Sequence, residues 1–259
     1  MTEVFMITAA SILAYMTAWF IVAQIRGRND IADVAWGLGF ILAAAVSLLA
    51  GEIYPLRGLL VSGLVLVWGV RLAVHIHNRN RGKGEDPRYR KWREDWGKWF
   101  VLRSFLQIFI LQGILLLMVA IPVTFINQAP AVPFGLFDFL GLAIWLYGFS
   151  FEVIGDWQLL MFTRNPDNKG KLMTSGLWRF TRHPNYFGEV TLWWGIWLMA
   201  LALPGGWLTI IGPLTITILI LKVSGIPLLE KPYEVRGDFQ KYKLHTSAFF
   251  PLPPRKGVL

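Results

Sequence analysis

The 259-residue chain has no cysteine, which excludes disulfides, thiolate metal ligands and a cysteine nucleophile. It is short of charge: Asp, Glu, Lys and Arg make up 16% of it, less than an ordinary soluble domain carries. No polar stretch is long enough to bury a core of its own, so a separate soluble domain is not expected. Several ligand signatures are missing. There is no HExxH helix for zinc, no GxGxxG turn opening a helix after a strand, and no GxxxxGK[ST] phosphate loop. A metal site is therefore not expected, and a bound nucleotide would not sit on a Rossmann fold. The N-terminus has no basic region before its first apolar run and no small-residue cleavage site, so that run reads as a retained span.

What is present is long apolar sequence. Hydrophobic residues make up 55% of the chain, and runs near the length of a membrane span recur along it. The expected fold is all-α: a polytopic membrane protein, a single seven-transmembrane helical bundle with basic connecting loops. The expected spans are residues 4–24, 31–50, 56–75, 100–121, 134–162, 186–203 and 207–221. Residues 77–99, with mixed charges and interleaved Trp and Tyr, suit a partly helical segment lying on the headgroups. A short helix is expected at 230–243. The net charge of +9 falls in loops after the first, third, fifth and seventh spans. That alternation places the N-terminus outside and the C-terminus in the cytoplasm, and it explains the excess charge without a nucleic-acid partner.

Ionisable residues within spans are costly and are functional candidates. Asp33, Arg71 and His75 lie near the same ends of the second and third spans. They suit either a bundle-stabilising pair or a polar pocket. Glu152 and Asp156 are four apart and share a helix face, where two like charges need a partner. Arg164, Lys171, Arg179 and Arg182 are the nearest candidates. Two readings stay open: salt bridges at a helix end, or carboxylates for ribose hydroxyls or an amide with cations for phosphates. His75 and His77 are two apart on a helix and point apart, which does not suit a metal. Trp193, Trp194 and Trp197 suit the bilayer interface or packing.

The densest stretch is 170–189, GKLMTSGLWRFTRHPNYFGE. It sets Lys171, Arg179, Arg182 and His183 among small and hydrogen-bonding residues between apolar segments. Such a cluster suits an anionic ligand held against the bilayer, or a basic loop that only orients the protein. Together with Glu152-x-x-x-Asp156, the DVAWG of the second span and FQKY near the C-terminus, it resembles the steroid 5-alpha-reductase family. The bacterial branch, a membrane-domain family formerly of unknown function, is the nearest in character. The likeness covers nearly the whole chain.

The resemblance implies a seven-span bundle in the bacterial inner membrane that binds NADPH from the cytoplasmic side. It implies reduction of the carbon–carbon double bond of a 3-oxo-Δ4 steroid or related lipid enone. Residues 1–125 would form the substrate side and 134–259 the cofactor-binding half. Asn185 and Glu189 match the family's cofactor-binding Asn and Glu, and Asp156 an acidic contact. Lys171 stands where the family often has Arg, and Arg164 lies near another basic contact. The cofactor side would also include Glu152, Arg179, Arg182, His183, Tyr186 and, in FQKY, Tyr242. Asp33 matches a substrate-facing Glu and His75 falls near a substrate-facing Tyr. A neutral Asp33 or a cationic His75 would then polarise the ketone. A shorter RHPxYxG pattern occurs in membrane methyltransferases of isoprenylcysteine or phospholipid amines, so S-adenosylmethionine chemistry is the alternative. A transporter would show broken helices and inverted repeats, and the chain has no convincing internal repeat.

Overall fold

The computed structural model describes residues 1–51 and 53–255, and its regular elements are helices. These are α1 (Thr2–Arg26), α2 (Ile31–Leu49), α3 (Leu56–Asn80) and α4 (Pro87–Trp96). A short α5 (Phe100–Arg103) runs through a π-helical stretch, Ser104–Ile110, into α6 (Leu111–Asn127). Then come α7 (Leu136–Arg164), α8 (Pro184–Ala200), α9 (Ile211–Ile218), α10 (Ile226–Glu230) and α11 (Gly237–His245).

Among the described residues, six helical segments are long and apolar enough to cross a membrane: α1, α2, α3, Pro87–Asn127, α7 and Gly206–Tyr233. The seven-span expectation also included 186–203. That segment is α8, whose 17 residues fall short of the length required. At 1.5 Å per residue it is about 25 Å long, against a hydrocarbon core of about 30 Å. The third helix runs five residues beyond the expected end at position 75, reaching Asn80.

The chain divides into two compact units, residues 1–134 with 203–212, and residues 135–202 with 213–259. In the first unit α2 packs against α1, α3 and α6. Its buried face is made of small residues, among them Ala32, Ala35, Gly37, Ala43 and Ala44, which let neighbouring backbones come close. A Cβ on Gly37 would stand 2.8 Å from the Gly69 carbonyl oxygen of α3. Around this contact Phe40 meets Trp36 and Trp68 edge to face, at 5.0 and 5.4 Å between centroids. One amide ties three helices together. Asn127 Nδ2 donates to the Ala44 carbonyl (3.0 Å) and to Ser47 Oγ (2.9 Å), while its Oδ1 accepts from Ser62 Oγ (3.2 Å). Interhelical bonds of this kind contribute about 0.6 kcal/mol each in membrane proteins.

The second unit is built on α7 and α8. Gly141, Gly148 and Gly155 on α7, and Gly188 and Gly195 on α8, recur at seven-residue intervals. Seven residues are nearly two helical turns, so each set forms one stripe. A Cβ on Gly188 would lie 2.5 Å from the Glu152 amide nitrogen and from the Gly148 carbonyl oxygen. The two backbones therefore touch, and the side chains beside the stripe are pressed into the seam. The loop after α7 folds back on that helix. Gln158 Oε1 accepts from the Leu177 amide (2.9 Å), and Trp178 Nε1 donates to the Gly155 carbonyl (3.1 Å). Gly176 is required here twice over. Its φ is +61°, and a Cβ would come within 2.5 Å of the Gln158 amide.

Candidate functional site

The seam between α7 and α8 buries acidic groups. Gly155 leaves room for Pro184 and the Asn185 backbone at the start of α8. Pro184 suits that first position because its missing N–H would have no helical partner there. The close approach sets Asn185 against Asp156, with Asn185 Nδ2 donating to Asp156 Oδ1 at 3.1 Å. Glu152, Asp156 and Glu189 are all buried. Asn185 Oδ1 is buried too, and it accepts no hydrogen bond among the described residues. A buried acceptor without a donor costs about 1–3 kcal/mol. This arrangement can take a donor from a ligand, such as a hydroxyl or a carboxamide.

The cations of the 170–189 stretch divide into two groups. Lys171 and Arg179 are exposed, as is Arg164 at the end of α7, and none of the three forms an ion pair among the described residues. Arg182 and His183 differ from the sequence reading. Both are buried, and they meet Glu230 at the end of α10 rather than standing open to a phosphate. Arg182 Nε and Nη2 donate to the two Glu230 oxygens at 2.8 and 3.1 Å, and His183 Nε2 lies 2.9 Å from Oε1. Arg182 Nη1 donates to the Thr246 carbonyl at 2.6 Å, and its backbone N–H to the Ser247 carbonyl at 2.9 Å. The guanidinium is committed to protein acceptors, so this pair anchors the motif to the C-terminal segment. Glu230 escaped the sequence reading because its partners lie 47 and 48 positions away. Its only local signal is a lone carboxylate in the apolar run IPLLE.

Two tyrosines complete this unit. The half-buried Tyr186 stacks on His183 with centroids 5.7 Å apart. Tyr242 donates its hydroxyl to the Trp178 carbonyl, and burial pushes its phenol above the ordinary value.

In the first unit, Asp33 lies in the opening turn of α2. Gly37 faces Gly69 and Ala73 of the antiparallel α3, which puts Asp33 at the level of the half-buried His75. The partners shown for Asp33 come from α4, which the sequence reading laid on the headgroups. Tyr89 donates its hydroxyl to Asp33 Oδ1 at 2.6 Å, and Arg88 Nη2 to Oδ2 at 3.2 Å. Both Asp33 oxygens thus accept a hydrogen bond from α4. Arg88 and Tyr89 are placed there by the cap of α4. Asp86 accepts from the Arg88 amide at 2.9 Å and Pro87 opens the helix. The same Asp86 also takes Arg88 Nε at 3.0 Å. Among the described residues, no group of three or more His, Asp or Glu side chains is arranged to hold a metal ion.

A protein-family profile described as "Protein of unknown function (DUF1295)" matches residues 19–246. An uncharacterized protein of Schizosaccharomyces pombe is 26% identical over 187 residues, which cover 63% of this chain and 51% of that protein. The chain thus spans about half the length of that curated relative. No solved structure matches it.

Proposed function

The chain belongs to the DUF1295 family, and we propose that it is an NADPH-dependent membrane reductase of the carbon–carbon double bond in a lipophilic enone such as a 3-oxo-Δ4 steroid. The observation that carries this reading is the buried, partnerless Asn185 Oδ1 beside Asp156. An acceptor and a carboxylate together suit the carboxamide or ribose hydroxyls of a dinucleotide, and they fit the motif's resemblance to the steroid 5-alpha-reductases. The proposed topology has seven spans, counting α8, in a bacterial inner membrane, with the N-terminus outside and the C-terminus cytoplasmic.

Bound NADPH would supply the hydride. The protein's part is to bind and to polarise. Asp156, Asn185 and Glu189 would hold the nucleoside end, with Glu152 and Tyr186 beside them. Arg164, Lys171 and Arg179 would take the phosphates, each with an unpaired positive charge. Arg182, His183 and Tyr242 would act indirectly, by holding the motif in shape. On the substrate side we assign the ketone contact to His75 and Asp33. His75 is the donor of this pair, since Asp33 already accepts from Tyr89 and Arg88. A donor aimed at a developing oxyanion is worth about 3 kcal/mol in the transition state.

The test is a tryptophan-fluorescence titration of the purified protein with NADPH and, separately, with S-adenosylmethionine. NADPH is expected to saturate, and Asn185→Ala to weaken it at least about tenfold, equivalent to about 1.4 kcal/mol. Saturation by S-adenosylmethionine alone would replace the reductase with a methyltransferase.

A further inference from the structure

The first unit contains a cavity of about 380 Å³, lined among others by Asp30, Arg79, Lys83, Glu85, Asp86 and Arg90. That volume is within the range of small-molecule sites. We propose that it binds a phosphate group, held by Arg79, Lys83 and Arg90.

The charges support this choice. Each carboxylate lining the cavity is already paired with an arginine that does not line it. Asp30 is paired with Arg28 at 2.6 Å, Glu85 with Arg93 at 3.0 Å and Asp86 with Arg88 at 3.0 Å. The three lining cations form no ion pair among the described residues. Arg79 Nε donates to Asn80 Oδ1 and Arg90 Nη2 to the Glu85 carbonyl, both at 3.3 Å and both neutral acceptors. With Asp33 included, six cations face four carboxylates in this network. The surplus positive charge of this network lies on the cavity wall, where Arg79, Lys83 and Arg90 are exposed to an incoming ligand.

The wall is also built, not merely crowded. Arg28 Nη1 donates to the Lys83 carbonyl at 3.1 Å and fixes the loop beside the turn at Gly82, whose φ is +74°. A Cβ on Gly84 would stand 3.2 Å from Arg90 Nη2, so glycine there leaves room for the guanidinium. Asp30, 1% exposed, is among the lining residues. Two guanidinium forks and an ammonium suit a phosphate mono- or diester better than a carboxylate. The cavity lies between the end of α3 and the start of α4, at the polar ends of two candidate spans. Both a lipid headgroup and a soluble nucleotide carry the required group.

The full-length protein, in phosphatidylcholine nanodiscs, is tested with two probes: fluorescent phosphatidylglycerol in the bilayer and adenosine 2′,5′-bisphosphate in solution. Saturable binding of one probe is expected, weakened at least about tenfold in the Arg79→Gln, Lys83→Gln, Arg90→Gln triple variant. The probe that binds names the source of the phosphate. Saturation by neither probe, or equal binding by the triple variant, would overturn the proposal. A second readout needs no variant: the bound probe should protect Lys83 of the unmodified protein from acetylation, read by mass spectrometry. Acetylation of Lys83 at the same rate with and without probe would overturn it too.

Discussion

Arg182 and Glu230, 48 positions apart, form a two-pronged ion pair at 2.8 and 3.1 Å in which both side chains are buried. The 170–189 stretch is thereby fastened to the C-terminal segment. The pair gives the first prediction. Glu230→Ala strands a guanidinium in the interior, and breaking a buried pair in this way costs about 3–5 kcal/mol. Thermal unfolding in detergent should show a loss of that size. A loss below about 1 kcal/mol would class the pair with exposed salt bridges.

A second prediction concerns the seam between α7 and α8. A Cβ on Gly188 meets backbone atoms of α7 at 2.5 Å, and backbone cannot step aside as a flexible side chain can. Gly188→Ala should destabilise by about 1–3 kcal/mol, the usual cost of overpacking. Gly63, in α3, has nothing within 4 Å of its would-be Cβ. Gly63→Ala should be stabilising by about 0.5–1 kcal/mol through helix propensity. The two substitutions should move the unfolding midpoint in opposite directions.

Local features of the sequence revealed much of this architecture, and distant ones little. The starts of α2 and α3 are legible because Ile31 and Leu56 open apolar runs after polar or proline-containing stretches. The end of α3 is not, because the helix continues through His77 and Arg79 after its apolar run has ended. The seven-residue glycine spacing was readable and carries the α7–α8 contact, yet apolar run length alone passes over it. At the site, Asp156 and Asn185 were legible as candidates through the motif, and the structure sets them together. The partners of Arg182 and Asp33 were not legible. Glu230 and Tyr89 are 48 and 56 positions from them, and only folding brings them into reach.

The third prediction separates Asp33 from the cofactor. Tyr89→Phe removes the 2.6 Å hydrogen bond to Asp33 Oδ1 while keeping the ring. Hydrogen bonds to charged groups contribute about 1.5–3 kcal/mol, so a loss in that range is expected in unfolding experiments. Under the proposed function, turnover should fall while NADPH affinity, read by fluorescence titration, stays unchanged. A weakened NADPH affinity with full turnover would remove Asp33 from the substrate side.

A fourth prediction follows from Asp86. Burial pushes its carboxyl up, but the side chain and backbone N–H of Arg88 outweigh that, and the net effect holds it below the ordinary value. A carboxyl lowered by folding adds stability above its unfolded value, near 4, and that stability is lost as pH falls through the folded value. The unfolding midpoint should therefore drop below about pH 4. In Asp86→Asn part of that drop should disappear. An identical acid limb in the variant would show that Asp86 does not contribute to it.

The central claim is hydride transfer from a phosphorylated dinucleotide to a lipid enone. It is tested most directly with NADPH deuterated on either face of the nicotinamide C4, a 3-oxo-Δ4 steroid and the purified protein, with the product read by mass spectrometry. The account predicts a saturated 3-oxo product that carries deuterium from one of the two labelled cofactors. A product without deuterium from either, or no reduction alongside methyl transfer from S-adenosylmethionine, would contradict it.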